Sequence, residues 1–248
     1  MLRHVLFVLL ILVFVPHVCG ADYATLDSKA RRFAAHGEWA SASAMYSLMI
    51  EEMPADASLY SRAIVAEGML ENMDAEIRLL HEALQHGVVI DSLFAGVKRE
   101  SISLGKASLY PAFLETAKRE QPWLSRSIDG YLLDYYTFRR DAEGMIKYAR
   151  ILLDGLPDNE YFLSILASGY MQGGRYGQGC DVYKSMLELN SRSRTALLAL
   201  GNYYAMQASE KDSSMALKAL PYLEEAYRET PTPFVAEQIK KLQGYLHN

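Results

Sequence analysis

Helix-breaking residues recur along this chain at a nearly constant interval, which limits it to short helical segments stacked on one another. Pro54 and Pro122 are 68 residues apart, twice 34; Pro157 follows 35 residues after Pro122, and Ser191 follows 34 after Pro157. A segment of that length holds two helices and their turns, and self-similarity at a fixed period marks an array of such units. Between the breaks, apolar residues return at steps of three and four, the stripe of an amphipathic helix. Leu26, Ala30 and Phe33 share one face, and Ala42, Tyr46 and Met49 share the next, with Gly37-Glu38-Trp39 between them. The 248 residues contain 8 prolines and 16 glycines, so the stretches between the breaks are free to be helical. The expected class is all-α.

The contents of the units agree with their spacing. A later unit reads Leu163, Leu166, Ala167 and Tyr170, then Gly174-Arg175-Tyr176, then Gly179, Tyr183 and Met186. The next has Leu197, Leu200-Gly201 and Tyr204, then Ala219, Leu223, Ala226 and Pro231. Small residues let two helices cross closely, an aromatic fills the space beside them, and glycine makes the turn. This pattern resembles the tetratricopeptide family over roughly residues 22–232. The resemblance implies a right-handed α-solenoid (superhelix) of about six helix pairs, at about 23–56, 57–90, 91–125, 126–159, 160–193 and 194–232. Units two to four depart from the pattern: Glu67 stands where an aromatic is expected, Lys98 at a small position, and Tyr110 where alanine usually sits. Unit six carries an additional polar loop, Ala208 to Ser214. A capping helix is expected over 233–247, with Val235, Ile239, Leu242 and Leu246 on its apolar side.

The first twenty residues read as a separate element. Arg3 and His4 precede an apolar run from Val5 to Val15, and Pro16 to Gly20 lead into Ala21. A basic start, a short apolar core and small residues at the cut describe a secretory signal peptide. Cleavage is expected near Gly20/Ala21, which places the mature chain outside the cytoplasm, periplasmic or secreted. The alternatives are an uncleaved anchor, for which the run is short of the roughly 20 residues a span needs, and a lipid on Cys19. After cleavage Cys180 is the remaining cysteine, and no intramolecular disulfide can form.

The candidate chemical motifs do not hold up. In His81-Glu82-Ala83-Leu84-Gln85-His86 the histidines are five apart, about 140° away from each other on a helix, so they do not share a metal. The glycine-rich stretch Gly173 to Gly179 lacks the strand and the Gly-Lys-Ser/Thr ending of a phosphate loop and reads as a turn between helices. Gly177 and Gly179 are candidates for close helix packing. The pairs Glu51-Glu52 and Glu224-Glu225 point about 100° apart and do not converge. The formal charge of −5, without a basic stripe, argues against nucleic acid. No metal, cofactor or catalytic residue is assigned, and an enzyme using a groove between units is the weaker alternative.

What remains is surface. In the tetratricopeptide family the first helix of each unit lines a concave groove. Carrying its inward positions onto this sequence gives Asp27 and Arg31 in unit one, and Asp134, Thr137 and Phe138 in unit four. Unit five supplies Tyr161, Ser164, Ser168, Met171 and Gln172; unit six supplies Thr195, Leu198, Asn202 and Met206. The resemblance therefore implies a non-catalytic scaffold or adaptor in a cell-envelope assembly, with a protein or peptide partner. A membrane-tethered structural subunit is the alternative.

Overall fold

A computed structural model describes residues 23–209 and 213–246. The signal-peptide, cleavage and Cys19 readings lie outside the described residues. Thirteen α-helices and one short 3-10 turn, Pro122–Leu124, make up the described fold, with no strand among them. The helices are α1 Tyr23–Ala35, α2 Trp39–Glu52, α3 Ala57–Met69, α4 Met73–Gln85, α5 Ile90–Ser103 and α6 Leu109–Glu120. After them come α7 Ser125–Arg139, α8 Ala142–Gly155, α9 Glu160–Gln172, α10 Tyr176–Leu189, α11 Arg194–Ala205, α12 Ser214–Glu229 and α13 Pro233–Gly244. The odd-numbered helices from α1 to α11 begin at residues 23, 57, 90, 125, 160 and 194, 33 to 35 residues apart. None of the described helices is long and apolar enough to cross a membrane. The helices group into two compact units, one ending at Pro122 and one starting at Trp123.

The turns inside the helix pairs share one device. At the end of α1, Gly37 takes φ +75° and the Glu38 amide donates back to the Phe33 carbonyl at 2.9 Å. At the end of α9, Gly174 takes φ +74° and the Arg175 amide donates to the Tyr170 carbonyl at 2.8 Å. This six-residue closure satisfies carbonyls that a helix end leaves open, and it needs a left-handed residue. The pairs α3–α4 and α7–α8 close the same way, but with Glu71 at φ +57° and Arg140 at φ +54° in the glycine's place. Asp56, Asn72, Asp141, Asn159, Ser193 and Thr232 cap the following helices through side-chain oxygens, which is what short polar residues do best at that position.

In the first unit α3 is central, packed on α2, α4 and α5. The third pair departs from the family pattern. Helices α5 and α6 have few close backbone approaches and meet through their aromatic rings; α5 lies along α3, and α6 along α4. The close approach falls at Gly96, where a Cβ would meet the Ser61 hydroxyl at 2.1 Å, while Ser61 donates to the Leu93 carbonyl at 3.1 Å. The small position is thus two residues before Lys98, where the family alignment put it. Tyr110 is 2% exposed, filling core in place of the expected alanine. Phe94 and Phe113 add an edge-to-face pair with centroids 5.8 Å apart.

In the second unit, α7 to α10 pack pairwise in sequence, and α11 and α12 form a close hairpin. One apolar cluster joins Ala167, Cys180, Tyr183, Met186, Ala196 and Leu200. A second joins Ala216, Ala219, Leu220 and Leu223 to Val235 and Leu242 of α13, with Ile239 and Leu246 packed at its edge. The C-terminal helix therefore covers α12 with the stripe read from its sequence.

Candidate partner groove

Helices α9, α10 and α11 enclose an open cavity of about 560 Å3 within the second unit. Its walls are Met171, Tyr176, Tyr183, Ala199, Asn202, Tyr203, Met206 and Gln207. The helix spacing that makes it begins at Gly179: a Cβ there would lie 3.0 Å from Met171 Cγ and Sδ and 3.1 Å from the Ala167 carbonyl. A side chain there would press on Met171 and the α9 backbone, so glycine favours the close approach of α10 to α9. Gly177 has open space around it and plays no such part.

The cavity's aromatic wall continues as a ladder. Tyr176 stacks on Tyr203 with centroids 5.8 Å apart; Tyr203 meets Tyr204 edge-on at 5.3 Å, and Tyr204 stacks on Tyr222 at 6.1 Å. Such pairs fix ring orientation beyond simple burial. Burial raises the Tyr183 phenol above its usual range, with the Cys180 thiol adding to it, and burial likewise raises Cys180 itself. A thiol held protonated and buried is inert, so Cys180 is core.

The mouth is different. Met206 is 87% exposed at the end of α11, Tyr176 is exposed at the start of α10, and Met171 is half-buried between them. Asn202 and Gln207 supply its amide groups. Gln207 Nε2 donates to the Tyr203 carbonyl at 3.0 Å, and Asn202 Oδ1 accepts from Gln238 Nε2 of α13 at 3.1 Å.

Of the inward positions named from sequence, Met171, Asn202 and Met206 come together in this cavity. The others do not line it. Tyr161 stands ten residues before Met171, about 15 Å along α9 at the helical rise, and its hydroxyl donates to Asp134 at 3.2 Å. Ser164 donates to the Tyr161 carbonyl, and Gln172 donates to Ser168, so these three side chains are bonded along their own helix. Phe138 is 72% exposed on α7. Leu198 packs against the α12–α13 cluster. Thr195 is exposed at the start of α11. In the first unit Asp27 is shared by Arg31 at 2.7 Å and Arg62 at 2.9 Å, an internal ion network of small energetic weight where exposed.

Tyr176, Tyr183, Ala199, Tyr203 and Gln207 were not read as lining. Ala199, Tyr203 and Met206 follow one another at helical steps of four and three, and Tyr176 closes the same turn as Gly174, so a stripe drawn on α11 alone would have found most of them. The histidines of the 81–86 stretch face different partners. The Tyr60 hydroxyl lies 2.9 Å from His86 Nδ1, and His81 pairs with Gln121. Among the described residues no group of three or more His, Cys, Asp or Glu is placed to hold a metal.

No family model matches the sequence, and no curated protein matches it. Solved structures are similar in fold. The C-terminal part of a TPR repeat-containing protein from Cytophaga hutchinsonii is 16% identical with a TM-score of 0.47, over 80% of this chain and 77% of that one. A tetratricopeptide repeat protein from Parabacteroides merdae is 12% identical with a TM-score of 0.38, over 89% and 98%. The TPR2AB domain of yeast Sti1, solved as a complex with pHSP90, is 13% identical with a TM-score of 0.38, over 91% and 98%. Helix pairs beginning every 33 to 35 residues, five of them closed by a left-handed residue, give this chain the tetratricopeptide-repeat fold.

Proposed function

We propose that this chain is a non-catalytic interaction module that holds a segment of a protein partner in the cavity between α9, α10 and α11. The observation that carries this reading is the composition of the mouth. Met206 and Tyr176 expose apolar and aromatic area to solvent beside a mostly apolar cavity, with two amides at its edge. Flexible thioethers and rigid phenols are the side chains that adapt to and anchor a partner segment. A protein of ordinary surface leaves such large side chains exposed singly; here they converge on one concavity. Export, and work in a cell-envelope assembly, belong to the same proposal and rest on the basic, apolar and small-residue order of residues 3–21.

Site-directed photo-crosslinking tests the groove. A benzophenone side chain at Met206 should capture one discrete partner, and the same group at Leu217, exposed on α12 away from the cavity lining, should not. Capture from Leu217 alone would place binding on the other face. N-terminal sequencing of the mature protein tests export: a start near Ala21 supports it, and a start at Met1 or Leu2 removes it.

A further inference from the structure

We propose that Gln238, on the C-terminal helix, sets the hydrogen-bonding polarity of the groove. It holds Asn202 with its Nδ2 turned to the cavity, so the site takes an uncharged partner segment through one of that segment's carbonyl oxygens. This rests on the groove reading above and adds the chemistry of what the groove accepts.

An asparagine side chain has one acceptor oxygen and a two-proton donor. Gln238 Nε2 donates to Asn202 Oδ1 at 3.1 Å, so α13 uses the acceptor end. Asn202 lines the cavity, and its Nδ2 has no partner among the described residues. The donor is what a partner meets. Gln207, the other amide of the lining, already gives one of its two amide protons to the Tyr203 carbonyl at 3.0 Å. None of the eight lining residues is charged, so an ionised segment would lose hydration there without compensation. Gln238 Oε1 is buried without a partner, a cost that a leucine of similar size would avoid. The position thus holds an amide at the expense of stability, and the one bond that amide makes among the described residues is to the groove. The reversed pairing, with Gln238 accepting from Asn202, would offer the partner an acceptor instead, and the experiment separates the two.

The full chain, labelled with 13C at its methionine methyls, is titrated with two small probes. N-hexanoylpyrrolidine carries a carbonyl acceptor and no donor; N-hexylpyrrole has similar length and no acceptor. In the wild-type chain both should shift the Met171 and Met206 methyl signals, the amide about 3- to 10-fold more tightly. Gln238→Leu and Asn202→Leu should each erase that ratio; Gln238→Leu, which lies outside the lining, should leave N-hexylpyrrole binding unchanged and, by removing the unpaired buried oxygen, melt no lower than the wild-type chain. General loosening of the groove would weaken both probes together and keep the ratio, so the ratio reports polarity alone. Gln238→Glu, an acceptor only, should draw Asn202 Nδ2 towards α13 and also lose the preference. A ratio that survives in Gln238→Leu overturns the role of Gln238. Equal binding of both probes by the wild-type chain overturns the polarity proposal and leaves the groove standing; no methionine shift with either probe overturns both.

Discussion

Glu76 lies over the bare Cα of Gly68, so close that a methyl group on Gly68 would come within 2.7 Å of its Oε1. The carboxyl is only 6% exposed, and Glu67 is close enough to add to its burden. Glu67 itself accepts from the Ser43 hydroxyl and, at 2.8 Å, from Asn72 Nδ2. Burial first, and then the Glu67 carboxylate, push the Glu76 carboxyl up from 4.5 to about 7. The folded chain therefore keeps a proton that the unfolded chain releases between those two values. Stability is full below about pH 4.5, falls as pH rises towards 7, and changes no further on this account above it. The loss should reach about 3–4 kcal/mol across that window, at about 1.4 kcal/mol per unit. Urea unfolding of Glu76→Gln at pH 5 and pH 8 checks this. The variant should flatten that slope and be more stable than the wild type at pH 8; an unchanged slope would mean that Glu76 titrates normally.

The Ser61–Gly96 contact replaces the close helix crossing that the third pair lacks. A Cβ at Gly96 would meet Ser61 Oγ at 2.1 Å and Ser61 Cβ at 2.8 Å, inside a buried interface. Gly96→Ala should destabilise the first unit by about 1–3 kcal/mol despite the better helix propensity of alanine. Adding Ser61→Ala removes the nearer atom, the hydroxyl, but leaves the carbon at 2.8 Å, and should restore part of the loss. Thermal melts of the single and double variants decide it.

Two turns run without the glycine their backbone favours. Glu71 and Arg140 sit at φ +57° and +54°, where a Cβ crowds the carbonyl. Replacing either with glycine should raise stability by about 0.5–1 kcal/mol, the relieved strain outweighing the added freedom of the unfolded chain. Gly37→Ala and Gly174→Ala should cost about as much. If Glu71→Gly and Arg140→Gly both destabilise in denaturant titrations, side-chain contacts outweigh the backbone at those turns.

Tyr183 is 6% exposed, and it both joins the Ala167–Leu200 cluster and backs the cavity. Tyr183→Ala should cost about 3–5 kcal/mol, the range for deleting a buried aromatic. A loss below about 1 kcal/mol would mean the ring is not packed as its cluster shows.

The turns and stripes were legible because each is set by local chemistry. Gly37 and Gly174 announce left-handed closures, and Val235 with Leu242 announces a helix that must cover something. The third pair was not legible. Its crossing depends on Ser61 and Gly96, 35 residues apart, and no pattern within either helix says that they meet. Glu71 and Arg140 were equally silent, since their residue types disfavour the left-handed conformation in which the helix-end backbone bonds to Glu67 and Tyr136 close around them. In the groove, family positions gave Met171, Asn202 and Met206 because helical phase fixes which face they share. Tyr161 was drawn into the same strip by phase alone, and phase does not say that ten residues of helix rise separate it from Met171. Gln238 was invisible for the same reason as Gly96: it reaches Asn202 from 36 residues further along the chain.

Tyr176 and Met206 make the last test, because they flank the mouth of the cavity and are exposed enough to be removed without opening a core. Met206 is exposed, and so is Tyr176 although its ring stacks on Tyr203, whereas Tyr203 also meets Tyr204 edge-on, so its loss would disturb more of the wall. The double variant Tyr176→Ala, Met206→Ala should weaken capture of the crosslinked partner by about 2 kcal/mol or more, the scale of a central interface anchor. Helicity and melting should stay close to wild type. Tyr161→Ala serves as the contrast: it breaks the bond to Asp134 but lies about 15 Å along α9, so it should leave capture nearly unchanged. Were Tyr161→Ala to abolish capture while the double variant retained it, the partner would lie along the α7–α9 face, and the cavity between α9, α10 and α11 would have no part in binding.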